Sequence, residues 1–434
     1  MKNKNLITLV GMSLVLLAGC NGTTSSTTPG TSTKPETSTE TQNSETPSGT
    51  KEELVIGAPT AQKTWVQTEV NAYLASAGLS NKYSVSMYEL GEGDAGSVTD
   101  WTAGPDLYAY ASDQVLNLVS KGALATVPSD YTANIKADMT AGAVEAAQLG
   151  TKLYGYPYAG DNGYFLYYNK SVFTDISKLN TVDDVASVCG AAGLKFSYIL
   201  DNTFYSTGLM FTFGARYNVT LSSDSRSIAK ITADFNTAKG LKAAKAMKAI
   251  INNTNIDTTA GGQKAPTRAN GIGACVDGSW NASKYKEALG DDYGCVKLPT
   301  VTVDGETKNL GGFLGYKLYG VNPSRTGTSA DRQAVLHDIA HYLVSKDEQT
   351  KRFADLTIAP TNKEVAASQA VQNTPHVKAL AAQAEFCVAQ TIVPGHIWDT
   401  ATNPYAGIVA NKDATDAELQ ALLDTYNTAV TSIK

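Results

Sequence analysis

From residue 52 onward, short apolar runs alternate with amphipathic stretches of helical period. Glu53 to Ala58 is a β-like run. After it Val66, Val70, Tyr73, Leu74 and Ala77 recur at i, i+4, i+7, i+8 and i+11, one face of a helix. Gly78 supplies the stop. Tyr83 to Leu90 reads as the next strand, and Asp106 to Ala111 as a third after a turn-rich segment. Gln114 to Val119, ending at Lys121-Gly122, reads as a second helix. The helical pattern returns at Asn236 to Ile251, where Leu241, Ala244, Met247 and Ile251 mark one face, and at Asp331 to Ser345. This spacing predicts parallel βαβ units with helices on both faces of a sheet. No internal repeat of fixed period is present. Setting aside the first 50 of 434 residues leaves 384, a length that predicts a two-lobed α/β protein.

The N-terminus reads differently. Lys2 and Lys4 precede a mostly apolar run, Leu6 to Leu17, too short for a spanning helix of about 20 residues but suited to a secretory signal. It ends in Leu17-Ala18-Gly19-Cys20, which resembles the bacterial lipobox. That resemblance implies a signal peptide over 1–19, cleavage before Cys20, lipidation of its thiol and a membrane-anchored, extracellular location. Residues 21–50 hold no aliphatic or aromatic side chain, and 17 of these 30 are Ser or Thr. Such a stretch buries too little apolar area to offset its ordering entropy. Residues 20–50 therefore read as a disordered tether reaching roughly 30 Å. No later apolar stretch approaches spanning length.

Charge and cysteines narrow the class. The formal net charge is −6, and without Lys2 and Lys4 it is 33 bases against 41 acids, or −8. With few basic clusters, the chain has no footprint for phosphate backbones, so nucleic-acid binding is disfavoured. Four cysteines follow Cys20: Cys189, Cys275, Cys295 and Cys387. An exported chain permits disulfides. Cys275 and Cys295 lie in short apolar segments that read as neighbouring strands, so they are the expected pair. Cys189 and Cys387 are left open between a second bridge and two buried thiols. With no CxxC, zinc is a poor alternative, and neither a metal nor any cofactor is expected.

The motifs of enzyme chemistry are weak. Gly91-Glu92-Gly93-Asp94-Ala95-Gly96 matches GxGxxG after a strand, yet Glu92 and Asp94 would place carboxylates where a pyrophosphate sits. The segment reads as a flexible loop. His337 and His341 stand at i, i+4, as metal ligands do, but Asp338 occupies the position where the protease motif has Glu, and no third ligand stands out. They read as a satisfied helix-surface pair. There is no GxSxG elbow and no P-loop.

Aromatic placement is more informative. Tyrosines number 22 against 10 phenylalanines. Leu153 to Lys170 carries Tyr154, Tyr156, Tyr158, Tyr164, Phe165, Tyr167 and Tyr168 around Asp161 and Asn162. Trp65, Trp280 and Trp398 sit at turn-like segments rather than in apolar runs. Rings stack on the C–H faces of sugars while Asp, Asn and Gln meet the hydroxyls, so this mixture suits a carbohydrate site. Amphipathic core residues are the alternative for each single ring.

The segment Leu153–Phe173, with Asp161-Asn162-Gly163-Tyr164-Phe165 at its centre, resembles the maltose-binding-protein-type family of extracellular sugar-binding proteins of ABC importers. Supporting stretches are Gly104-Pro105-Asp106 through Asp113-Gln114, Asp277-Gly278-Ser279-Trp280-Asn281, Lys297-Leu298-Pro299-Thr300, Gly311 to Lys317, and Ala359-Pro360-Thr361-Asn362. The resemblance spans essentially everything after residue 50. It implies a two-lobed, periplasmic-binding-protein-like (Venus-flytrap) α/β fold with crossover hinge segments. Lobe one is expected at 51–159 plus 312–371, lobe two at 160–311 plus 372–434. It implies a noncatalytic monomer that takes an oligosaccharide, with malto-oligosaccharides (α-glucans) leading, between lobes that close on it, and that docks on permease subunits. Carried over residue by residue, it makes Tyr110 an aromatic platform, Asp113 a hydroxyl-binding carboxylate, Asp161 and Asn162 the crossover contact and Trp280 a stacking ring. Phe204, Tyr205, Trp65 and Trp398 are further ligand contacts. Where maltose binders of enteric bacteria have a basic residue after the lobe-one carboxylate, this chain has Gln114. Alternatives are another solute in the same fold (a different oligosaccharide, a polyamine or a peptide) and a surface glycoside hydrolase, whose carboxylate pair comes from distant positions.

Overall fold

The computed structural model describes residues 50–259 and 264–432. The signal sequence, Cys20 and the tether up to Gly49 lie outside the described residues. The first elements follow the apolar pattern closely: strand β1 (Glu52–Ala58), helix α1 (Lys63–Ser76), strands β2 (Tyr83–Glu89) and β3 (Leu107–Ala111), and helix α2 (Val115–Ser120). Gly78 follows α1 with φ +72°, a left-handed position that ends the helix without a Cβ penalty. β1 pairs in parallel with both β2 and β3, as the βαβ reading requires.

Two long strands join this unit to the next. β4 (Tyr156–Asn169) has 14 residues. Further strands include β5 (Lys195–Ser197), β6 (Tyr217–Leu221), β7 (Ile228–Ala233), β8 (Ile256–Asp257), β9 (Ile272–Gly278), β10 (Tyr293–Val296), β11 (Gly312–Val321) and β12 (Cys387–Ala389), with a separate hairpin of Thr300–Val303 and Glu306–Asn309. One ten-stranded sheet runs β8-β5-β9-β4-β11-β3-β1-β2, with β10 beside β4 and β12 beside β11. Its flanks are parallel. At its centre β4 and β11 are antiparallel to each other and to β9 and β3 respectively. The first part of β4 pairs with β11, Tyr156 opposite Tyr319 and Gly163 opposite Leu314, and its last part with β9, Tyr164 opposite Gly278.

Hydrophobic side chains gather in two main cores. One is drawn from 54–159 and 318–344, the other from 164–313 and 393–430. Helices α3 (Thr203–Met210), α4 (Ala238–Asn252) and α5 (Ala330–Leu343) cover the sheet. A smaller third cluster lies on the opposite face of β4 and β9. Along β4, Tyr164, Leu166 and Tyr168 enter the second core, while Phe165 and Tyr167 enter the third. This period of two places apolar residues on both faces of a covered strand.

The same strand order corrects the expected disulfide. Cys275 and Cys295 do lie on strands, β9 and β10, but both are paired with Tyr167 from opposite edges of β4. Two strand spacings of about 4.8 Å separate them, beyond the roughly 7 Å reach of a disulfide. Both are free, as are Cys189 and Cys387. His337 is not on the surface: it is buried, its Nδ1 2.8 Å from Tyr156 Oη. His341 stacks near Tyr131. Among the described residues no cluster of three metal-ligating side chains occurs, and no helix is long and apolar enough to cross a membrane.

Candidate functional site

A cavity of about 950 Å³ is lined from both cores. On one side stand Glu92 and Asp94 of the 3₁₀ turn after β2 (Glu92–Ser97), with Asp113 and Gln114 from the turn after β3. Phe204, Trp280 and Trp398 line the cavity as well. The crossover segments supply Asn162 of β4, Lys317 of β11 and Gln390 just past β12. A smaller cavity of about 530 Å³ beside Lys136 and Met139 holds none of these rings or acids.

The ring wall is built from three separate turns. Asn202 caps α3 by accepting from the Phe204 backbone N–H at 2.9 Å, so Phe204 stands in the first turn of that helix. Its ring centre is 6.0 Å from that of Trp280, 5.9 Å from that of Trp398 and 5.6 Å from that of Phe313, which stacks on it. Thr203 Oγ1 donates to the Trp398 carbonyl at 3.1 Å and ties two of these turns together. The third turn hangs on Asp277. Its buried carboxylate accepts from Tyr205 Oη at 3.0 Å, Asn281 Nδ2 at 2.9 Å, the Gly278 N–H at 2.7 Å, and Tyr285 Oη. A Cβ at position 278 would enter the indole of Trp280, so glycine lets that ring lie over the backbone. Trp280 is 43% exposed, an apolar ring held open to solvent.

The acid wall is fixed by its own partners. Glu92 accepts from Tyr158 Oη at 2.6 Å and Gln62 Nε2 at 3.0 Å. Lys317 is buried between Asp161 at 3.4 Å and Glu92 at 3.7 Å. Burial works against its charge, but the two carboxylates outweigh that cost and hold its pKa above the ordinary lysine value. Asp113 is only 7% exposed. Loss of solvent pushes its carboxyl up to about 6, against the opposing pull of Gln114, Trp398 and Gln390. Gln114 Nε2 donates to Oδ2 at 2.6 Å, and buried Oδ1 has no hydrogen-bond partner. A buried acceptor left open costs free energy.

Of the residues singled out in the sequence, Asp113, Asn162, Phe204, Tyr205, Trp280 and Trp398 are brought together in this cavity. Tyr110 is not among them: it is buried in the first core and its hydroxyl donates to the Tyr154 carbonyl at 3.1 Å. Trp65 lies outside as well, donating to Asp355 at 3.0 Å beneath the Arg352 guanidinium. Asp161 reaches the cleft through Lys317, and its carbonyl accepts from Ser279 Oγ. The tyrosines of β4 are core residues, because that strand is covered on both faces. The GxGxxG segment, read as a flexible loop, instead forms the ordered 3₁₀ turn that brings Glu92 and Asp94 to the cavity. Its signal was the one used to dismiss a nucleotide: two carboxylates between glycines suit hydroxyls rather than phosphates. Lys317 ends a stretch that carries the resemblance but was given no role there, and Asn202 and Gln390 were missed.

Residues 61–379 match a family model for bacterial extracellular solute-binding proteins. No curated protein matches significantly. Among solved structures, one determined with acarbose is 26% identical, with a TM-score of 0.75 over 88% of this chain and 99% of that one. The maltodextrin binding protein MalE1 from L. casei BL23, without ligand, is 19% identical, with a TM-score of 0.73 over 88% and 100%. The Thermus thermophilus maltotriose binding protein bound with maltotriose is 18% identical, with a TM-score of 0.68 over 88% and 100%. At that identity the last two bear on the fold alone. All are two-lobed α/β structures like this one.

Proposed function

Because the chain belongs to the bacterial extracellular solute-binding proteins, we propose that it captures a neutral oligosaccharide, with malto-oligosaccharides first, in the cleft between its two cores. One observation carries this: Phe204, Trp280 and Trp398 line a single cavity together with Glu92, Asp94 and Asp113. Stacking rings opposite hydroxyl acceptors is what a sugar's apolar faces and polar edges require. The acarbose and maltodextrin named for the similar structures fit the same chemistry. Binding involves no bond cleavage. We place the lobes at 51–159 plus 312–371 and 160–311 plus 372–434, closing about β4 and β11; the two cores support a division into halves but put Phe313 with the second. The closed form docks on the permease subunits of an ABC importer, and Cys20 carries the lipid that keeps the protein at the outer face of the membrane.

Thermal unfolding against maltose, maltotriose, longer maltodextrins, β-galactosides, fructo-oligosaccharides and xylo-oligosaccharides tests the reading. A ligand at 100 times its Kd adds about 2.7 kcal/mol, so a shift with one sugar class names the substrate. Silence across the panel overturns it. The converging carboxylates around rings support a polyamine as the second reading, and spermidine added to the same panel decides between them. Labelled oligosaccharide recovered intact after incubation excludes a hydrolase.

A further inference from the structure

A further cavity, of about 370 Å³, shares Asn117, Val393 and Gly395 with the cleft. It lies beneath the β6–β7 hairpin, in which Tyr217 pairs with Ala233 and Leu221 with Ile228. This hairpin bridges the molecule. At its base Tyr217 and Ala233 pack on the second core, while toward its tip Leu221 and Ile228 pack on the first. The tip itself meets Gly150 of the first half so closely that a Cβ there would lie 2.9 Å from Ser225 Oγ. The hairpin therefore forms one wall of a groove at one end of the cleft.

We infer that the cleft continues past Asn117 into this half-open chamber, and that the chamber seats further sugar units of a longer oligosaccharide. The inference rests on the oligosaccharide reading above and extends it to chain length. The chamber's lining has the character a sugar needs, with Ile228, Ile231 and Val393 as apolar surface and Asn117, Ser120 and Arg226 as polar groups. Its apolar surface is aliphatic, whereas that of the main cleft is aromatic. Each added unit consequently gains less than the units stacked on Trp280 and Phe204. Asn117 stands at the neck, its Nδ2 3.4 Å from the Gly96 carbonyl. A side chain held by one long hydrogen bond is a passable barrier.

Calorimetric titration of the full-length protein with maltose through maltoheptaose is the test, repeated on two variants from opposite walls. Ser120→Trp fills the chamber from the exposed last residue of α2, and Arg226→Ala removes its cation from the exposed hairpin tip. In the unmodified protein affinity rises with chain length beyond the shortest sugar that binds. In Ser120→Trp the longest sugars lose at least about tenfold, or ~1.4 kcal/mol, while the shortest binder keeps its Kd. Arg226→Ala shows a smaller loss with the same restriction to long chains. Equal affinity at all lengths, or variants that change short and long sugars alike, overturns the chamber and leaves the main cleft standing. No binding at any length overturns the oligosaccharide reading itself, and this inference with it.

Discussion

Trp280 has little to do with stability, since nearly half its surface is open and the turn beneath it is held by Asp277 rather than by the ring. Trp280→Ala therefore weakens sugar binding by more than about 1.4 kcal/mol, a tenfold loss, with an unchanged melting midpoint. An unchanged Kd removes the ring from the site. Asp113 behaves in the opposite way. With its folded pKa raised to about 6, its contribution to stability is present in acid, below the usual carboxylate range, and is lost as pH rises through 6. Asp113→Asn is accordingly more stable than the parent at pH 8, by up to about 3 kcal/mol at 1.36 kcal/mol per pKa unit. That gap closes toward pH 4, while sugar affinity falls. Paired unfolding curves at the two pH values check the sign. Asp113 and Trp280 were reached from the sequence through the resemblance of the stretches that hold them, and both line the cleft. Tyr110 does not, because one residue's step along β3 decides whether a side chain meets the core or the cleft.

At the scale of elements, α3 carries Phe204 and presses Gly208 against β4 and β11. A Cβ at Gly208 would enter the Tyr164 hydroxyl and lie 3.0 Å from the Gly312 Cα. Gly208→Ala thus costs about 1–3 kcal/mol and moves Phe204, so both the melting midpoint and the sugar Kd worsen. A loss in only one of them means α3 does not set the ring's position. The five elements up to Ser120 were readable from apolar spacing to within a few residues, whereas the helices Ser129–Asp138 and Ala141–Ala146 and the long strand β4 were not. Nor was the ladder. Cys275 and Cys295 lie on the strands their flanking residues predict, but nothing in either segment tells that β4 runs between them. Glu92 and Asp94 were hidden for a similar reason, since a Gly-rich turn reads as a loop until its neighbours Tyr158 and Lys317 are in place.

For the whole molecule, the four described cysteines are free thiols, each with its pKa pushed above the usual value by burial. The melting midpoint is therefore the same with and without a reducing agent, and a drop of several degrees in dithiothreitol would reveal a bridge. A final consequence comes from β4 and β11, which both cores share. A chain with two separate cores is expected to melt in two steps. Here, unravelling either core strips the central ladder of the other, because Tyr156–Gly163 and Tyr164–Tyr168 are successive lengths of one strand. The two halves are thus a single cooperative unit: the calorimetric and van't Hoff enthalpies agree, and a sugar gripped at the seam raises the denaturation temperature of the entire body at once.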